Sequence, residues 1–124
     1  MFGFYEIVFK MIVLKFDNQE IKREIRPLGF WEKMIGLGGG IFGEAVYFQT
    51  RFGIHTFGLS EPIDVLVLGE RGEVGAIFRN LVPGQARFWN PKFRHVFEFS
   101  GGALDKITNP QDGKFVWYYE MDGK

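Results

Sequence analysis

The sequence predicts an α+β fold: a mostly antiparallel, curved β-sheet or small β-barrel with two short helices. Three observations carry this. Seven or eight short apolar runs of strand length are separated by turn residues. Strands and helices do not alternate as a parallel α/β sheet requires. The chain has 15 Phe and 17 Gly among 124 residues, so it has rings to pack and glycines to turn on.

The elements follow in order. Residues 12–16 read as a strand, Asp17-Asn18 as a turn, and 20–26 as the returning strand, ended by Pro27. Phe30 with Met34, and Trp31 with Ile35, have helical spacing, and Gly38-Gly39-Gly40 stops that helix. Residues 45–52 alternate as a strand, with Val46, Phe48 and Phe52 on one face. The run Ile63-Asp64-Val65-Leu66-Val67-Leu68 is nearly continuous and β-branched, as expected of a strand buried on both faces. Gly69-Glu70-Arg71-Gly72 turns it into a return over 74–81. Pro83-Gly84 turns the chain again, and strands over 87–89 and 93–99 flank Asn90-Pro91. Ser100 could cap a short helix over 103–107. Asp112-Gly113 leads into a last aromatic strand, 115–119. The size predicts one domain, 1–124.

Composition excludes several classes. Fifteen Lys+Arg balance fifteen Asp+Glu, which argues against a surface built throughout for nucleic acid or anionic lipid. The absence of cysteine excludes disulfide scaffolds, thiolate metal sites and Cys nucleophiles. The apolar start, MFGFYEIVFKMIVL, lacks a basic leader and a small-residue cleavage site, and Glu6, Lys10 and Lys15 interrupt it. It reads as a strand, in a soluble cytoplasmic protein whose start is Met1 or Met11. Low Asn, Gln and Cys content points to a thermophile. No cofactor or metal is expected.

Three motifs have the wrong context. Gly38-Gly39-Gly40-Ile41-Phe42-Gly43 matches G-x-G-x-x-G, but it follows a helix and opens a strand, the reverse of a dinucleotide site. His95 and Glu98 form H-x-x-E, which on a strand points to opposite faces. His95 then shares a face with Phe93, Phe97 and Phe99, as a histidine satisfied by one hydrogen bond. His55, Ser60 and Asp64 could be drawn as a hydrolytic triad, but no nucleophile-elbow sequence surrounds Ser60. Glu70 and Glu73 around Arg71 read as a solvated turn.

Three functional readings remain. The first is a non-enzymatic ligand-binding or interaction module with a pocket edged by Arg51, His55, Thr56 and Asp64. Asp64 interrupts an apolar strand, so its carboxylate must accept hydrogen bonds or bind something. The second is a single-stranded nucleic acid binder using Arg79, Arg87, Trp89, Lys92 and Arg94. This stretch has four cations, no acid among them, and interleaved rings. The same pattern also describes a half-buried strand with a solvated face. The third is an enzyme of unrecognised class with His55 and Asp64 as acid/base pair. Self-association through an exposed aromatic patch is a further partner expectation.

Residues 52–58, FGIHTFG, followed by Pro62-Ile63-Asp64-Val65, resemble the prokaryotic domain-of-unknown-function family numbered 192, in particular its archaeal branch. The resemblance runs from about residue 23 to 114 and includes Met34-Ile35-Gly36-Leu37, Asn80-Leu81-Val82-Pro83-Gly84, Phe88-Trp89-Asn90-Pro91 and residues 97–102, FEFSGG. The chain departs from many bacterial relatives where His55-Thr56-Phe57-Gly58-Leu59 stands in place of a Trp-Met-Lys-Asn-Thr run. The arginine that usually follows the first helix gives way to Gly38-Gly39-Gly40, and the closing Gly-Asp element is inverted as Asp112-Gly113. The resemblance implies a β-rich single domain and no established activity.

Overall fold

The structure is a computed structural model, and residues 10–27 and 45–121 are described. Nine strands follow in order: β1 (Lys10–Phe16), β2 (Gln19–Pro27), β3 (Ala45–Gln49), β4 (Gly53–His55), β5 (Ile63–Leu68), β6 (Val74–Leu81), β7 (Ala86–Phe88), β8 (His95–Ser100) and β9 (Phe115–Met121). Seven form one sheet in the order β6-β5-β8-β3-β2-β1-β9, and β4 and β7 form a separate pair. Every pairing is antiparallel except β2 with β3.

The α+β expectation is corrected. Among the described residues there is no α-helix, and the sole helical element is one 3-10 turn, Pro110–Asp112. The helix expected over 103–107 is a series of turns. Its backbone is recruited elsewhere: Asp64 accepts the Leu104 N–H, and the Arg79 guanidinium donates to the carbonyls of Leu104 and Ile107. These side-chain bonds hold the segment in turns, overriding the capping signal of Ser100. The helix expected at Phe30 to Ile35, and the glycine run after it, lie outside the described residues. The strand expected over 45–52 ends at Gln49, where β3 stops; Arg51 and Phe52 form a bend, and β4 begins beyond it at Gly53.

The large sheet curls. Trp117 on β9 lies 4.9 Å from the ring of His95 and 5.5 Å from that of Phe97, both on β8. In a flat sheet, four strand intervals would separate these strands by about 19 Å. The concave face gathers Ile12, Leu14, Ile25, Ala45, Tyr47, Leu66, Leu68, Phe97, Phe99 and Phe115, joined by Leu104 and Ile107 from the turns. Strand alternation sends Val46, Ile63, Val65, Val67 and Val96 to the opposite face. There Ile54, Leu59 and Trp89, from β4, β7 and their flanking turns, pack over them. That is why all six residues of β5 are buried. We call the β4–β7 pair with its turns the arm.

Local chemistry sets the turns. Asp17 and Asn18 both have positive φ, 53° and 68°, as a tight two-residue hairpin requires. In the β5–β6 hairpin, Ile63 opposes Leu81 while Val65 opposes Phe78. The extra residue makes a bulge, with Asn80 at φ 54°.

Candidate functional site

The arm is built on close approach. A Cβ on Gly53 would collide with the Arg87 carbonyl and the Phe88 ring, so only glycine fits opposite Phe88. Thr56 is fully buried and ties the arm's turns together. Its hydroxyl donates to the Val82 carbonyl at 2.8 Å and accepts the Gln85 N–H at 2.8 Å. Its N–H donates to the Gln85 carbonyl, and its carbonyl accepts the N–H groups of Leu59 and Gly84.

The arm's outward side carries rings. Ile54 packs inward, so Gly53 and His55, with Ala86 and Phe88 opposite them, face out. Phe88 is 75% exposed, Phe52 66% and Phe57 60%, the highest values among the large apolar side chains described. The His55 ring stacks on Phe57 at 5.2 Å, and its Nδ1 accepts the Phe57 N–H.

The structure divides the predicted pocket. Arg51 and His55 are exposed, whereas Thr56 and Asp64 are fully buried. Asp64 spends one carboxylate oxygen on the Asn80 N–H at 2.7 Å and the other on the Leu104 N–H at 2.8 Å. Those two bonds fix the bulge and the following turns. His55 and Asp64 share no hydrogen bond; their partners are backbone amides in different parts of the fold.

The basic aromatic segment is also dispersed. Arg79 is bonded to the 104–107 turns, and Arg94 pairs with Glu70 at 2.8 Å. Arg87 donates to the Ala86 carbonyl and to Gln85 Oε1. Lys92 lies over the Phe93 ring, 5.1 Å from its centroid. Trp89 is half-buried against Phe78, and its indole N–H is buried without an acceptor.

Two arrangements escaped the sequence reading. The first is a chain of polar groups through the concave face. Tyr47 Oη lies 2.7 Å from His95 Nδ1, and His95 Nε2 lies 3.0 Å from Glu70 Oε2, which also accepts from Arg94. His95 therefore has two partners where the sequence suggested one. Burial pushes the Tyr47 hydroxyl up to about 12, so it stays protonated and serves as a hydrogen-bonding post. The bonds from His95 and Arg94 hold Glu70 below the usual carboxylate range. Glu70, Phe115 and Trp117 line a cleft of about 200 Å³ here. A neighbouring cleft of about 420 Å³ is lined by residues that include Arg71, Gln111 and Lys114.

The second is Glu98. It stands on the convex face with Val46 and Val65 directly across from it, and is 7% exposed. Among the described residues it has no hydrogen bond or ion pair, and burial raises its carboxyl to about 7. The sequence shows a glutamate alternating with aromatics, which also describes a solvated face. The arm that covers this face is non-local and leaves no mark in that pattern.

Among the described residues, no three His, Asp or Glu gather as a metal-binding group, and no helix is long and apolar enough to cross a membrane.

No protein-family model and no curated protein matches the chain. Two solved structures share its fold. One is a protein of unknown function from Novosphingobium aromaticivorans DSM 12444, with TM-score 0.63 and 19% identity over 85% of this chain and 84% of that one. The other is a "putative transcription regulator" from Sinorhizobium meliloti 1021, with TM-score 0.60 and 14% identity over 89% and 93%. At these identities the likeness defines a fold class: a small β-rich protein with a curled sheet.

Proposed function

We propose that the chain is a small non-enzymatic binding module that recognises its partner through the outward face of the arm. One observation carries this reading: Phe52, Phe57 and Phe88, the three most exposed large apolar side chains among the described residues, all lie on one small arm. An exposed apolar cluster marks an interaction surface more often than a random one. The buried polar groups nearby, Thr56 and Asp64, are consumed by backbone partners and support the arm without facing a ligand. Membership in the family numbered 192 belongs to the same proposal. The segments that carry the resemblance include β4, the last residue of β7 and the start of β5.

A second reading has its own support. Phe57 and Phe88 could stack bases, with Arg51, Arg87 and Lys92 near the same arm to meet phosphates. Arg79 and Arg94 are engaged elsewhere, so the cationic contribution would be smaller than the sequence implied.

Two measurements test these readings together. Fluorescence polarisation with labelled single-stranded RNA and DNA, at low and moderate salt, reads nucleic acid binding. Sedimentation over a concentration series reads self-association. The arm reading expects at least one signal, lost in Phe57→Ala and Phe88→Ala variants that remain folded. A signal unaffected by both substitutions, or no signal in either measurement, overturns it. Salt-sensitive oligonucleotide binding selects the second reading.

A further inference from the structure

The curled sheet does not close on itself by strand pairing. β9 and β6 stand at opposite ends of the strand order, and no ladder joins them among the described residues. The turn between β5 and β6 meets β9 instead, with Gly72 so near the Phe115 carbonyl that a Cβ there would collide with it. The two clefts described above lie along this seam, and Arg71 and Gly72 line both.

The charges along the seam are unevenly answered. Glu70 Oε2 accepts from His95 and Arg94. Glu73 turns back into its own turn, where Oε1 accepts the Arg71 N–H and the carboxylate lies against Gly69. Lys92 is also within its electrostatic reach. Asp17 Oδ1 accepts the Lys114 N–H, and Asp112 lines neither cleft. The cations fare differently. Among the described residues, the Arg71 guanidinium and the Lys114 ammonium have no hydrogen bond or ion pair. Both are nevertheless anchored at the backbone. Arg71 is held by its bond to Glu73. Lys114 donates its N–H to Asp17 Oδ1, and its carbonyl accepts the Asp17 N–H.

The larger cleft, about 420 Å³, therefore has one anchored cation from the β5–β6 turn and one from the segment before β9. Like charges lining one cleft repel. An anion between them removes that repulsion and accepts a charge-assisted hydrogen bond from each. The smaller cleft, about 200 Å³, adds an aromatic wall: Trp117 lines it, half-buried and resting on His95 and Phe97. A planar ring suits that wall.

We propose that this seam binds a small organic anion: a phosphate or carboxylate between Arg71 and Lys114, carried by a planar ring on Trp117. No residue of the arm takes part, so the site goes beyond the recognition face proposed above, and either can fail alone.

Phenyl phosphate is the probe, titrated into the full chain and followed by amide shifts in two-dimensional NMR spectra. Saturable shifts are expected at Gly72, Phe115 and Trp117, with a dissociation constant of about 1 mM or tighter. None are expected at Gly53 or Phe88 on the arm. Added salt weakens the binding. Arg71→Gln and Lys114→Gln each weaken it about tenfold, the loss of one charge-assisted contact. Both residues are exposed, so both variants keep the wild-type spectrum away from the seam. Benzoate, titrated in parallel, tells carboxylate from phosphate, and tighter binding of either supports the proposal. Phenol and inorganic phosphate each carry one half of the ligand and are expected to bind at least about tenfold more weakly. Four results overturn the proposal: no saturation by either organic anion below about 10 mM, equal binding of phenol or inorganic phosphate, shifts confined to the arm, or wild-type affinity in either variant.

Discussion

Asp64 and Arg79 grip the same residue from two strands. The Asp64 carboxylate accepts the N–H of Leu104, and the Arg79 guanidinium donates to the carbonyl of Leu104. One peptide segment is thus fixed by an anion at its donor and a cation at its acceptor. Asp64→Asn keeps the shape but places an amide –NH₂ against one of two backbone N–H groups. It is expected to destabilise the fold by roughly 1–3 kcal/mol, because a buried donor is left unpaired. Urea unfolding of the variant measures this. Oligonucleotide binding or self-association through the arm should persist while the protein is folded.

Gly72 lies where the β5–β6 turn meets β9. Its φ is +85°, and an added Cβ would collide with the Phe115 carbonyl. Gly72→Ala must therefore push the turn away from β9 and strain its own backbone. The expected cost is about 1–3 kcal/mol. Chemical denaturation reads it, and a change under about 0.5 kcal/mol would show that the contact is dispensable.

Tyr47→Phe removes one hydroxyl and leaves His95 Nδ1 buried without its 2.7 Å partner. A loss of about 1–2 kcal/mol is expected. Glu70 adds a pH signature at the other end of this chain. Its folded pKa is lowered, first by His95 and then by Arg94, so its stabilisation is present above the ordinary carboxylate value. That stabilisation fades as pH falls through the lowered one. Stability measured through this acid range should fall less steeply in Glu70→Gln than in the wild type.

Glu98 has the opposite sign. Its folded carboxyl is raised to about 7, so the native state binds the proton more tightly than the unfolded chain. Stability from this group is full below the ordinary glutamate value and is lost as pH rises through about 7. Glu98→Gln should remove that dependence and make the protein more stable than wild type at pH 8, by up to about 3 kcal/mol. A variant with the wild-type pH profile would show that the carboxyl reaches solvent without cost.

Much of the sheet was legible in the sequence. The six-residue apolar run marked β5 as buried on both faces, and Asp17-Asn18 marked the β1–β2 hairpin, because both signals act between neighbours in the chain. Asp64 was legible as an anomaly, since a carboxylate in an apolar strand requires partners. The identity of those partners was not. Asn80 and Leu104 lie 16 and 40 residues away, and the bond to Leu104 is part of what replaced the expected helix. Glu98 was hidden for a related reason. Alternation separates the two faces of a strand but does not say which is wet, and here residues distant in the chain pack on the second. The grouping of Arg79 with Arg94 was a grouping by position. Their side chains turn to opposite ends of β6, one to the 104–107 turns and one to the β5–β6 hairpin.

The pairing of β1 with β9 runs in register from Lys10 opposite Met121 to Phe16 opposite Phe115. The earliest described strand to leave the ribosome therefore waits for the latest. Until β9 emerges, Ile12 and Leu14 have one flank unprotected, and Trp117 cannot seat on His95 and Phe97. Such a sheet closes only once β9 has emerged, at the slow rate expected of long-range strand pairing. A growing polypeptide stalled before residue 115 should remain protease-sensitive along β1, while the β5–β6 hairpin can form from its own neighbours.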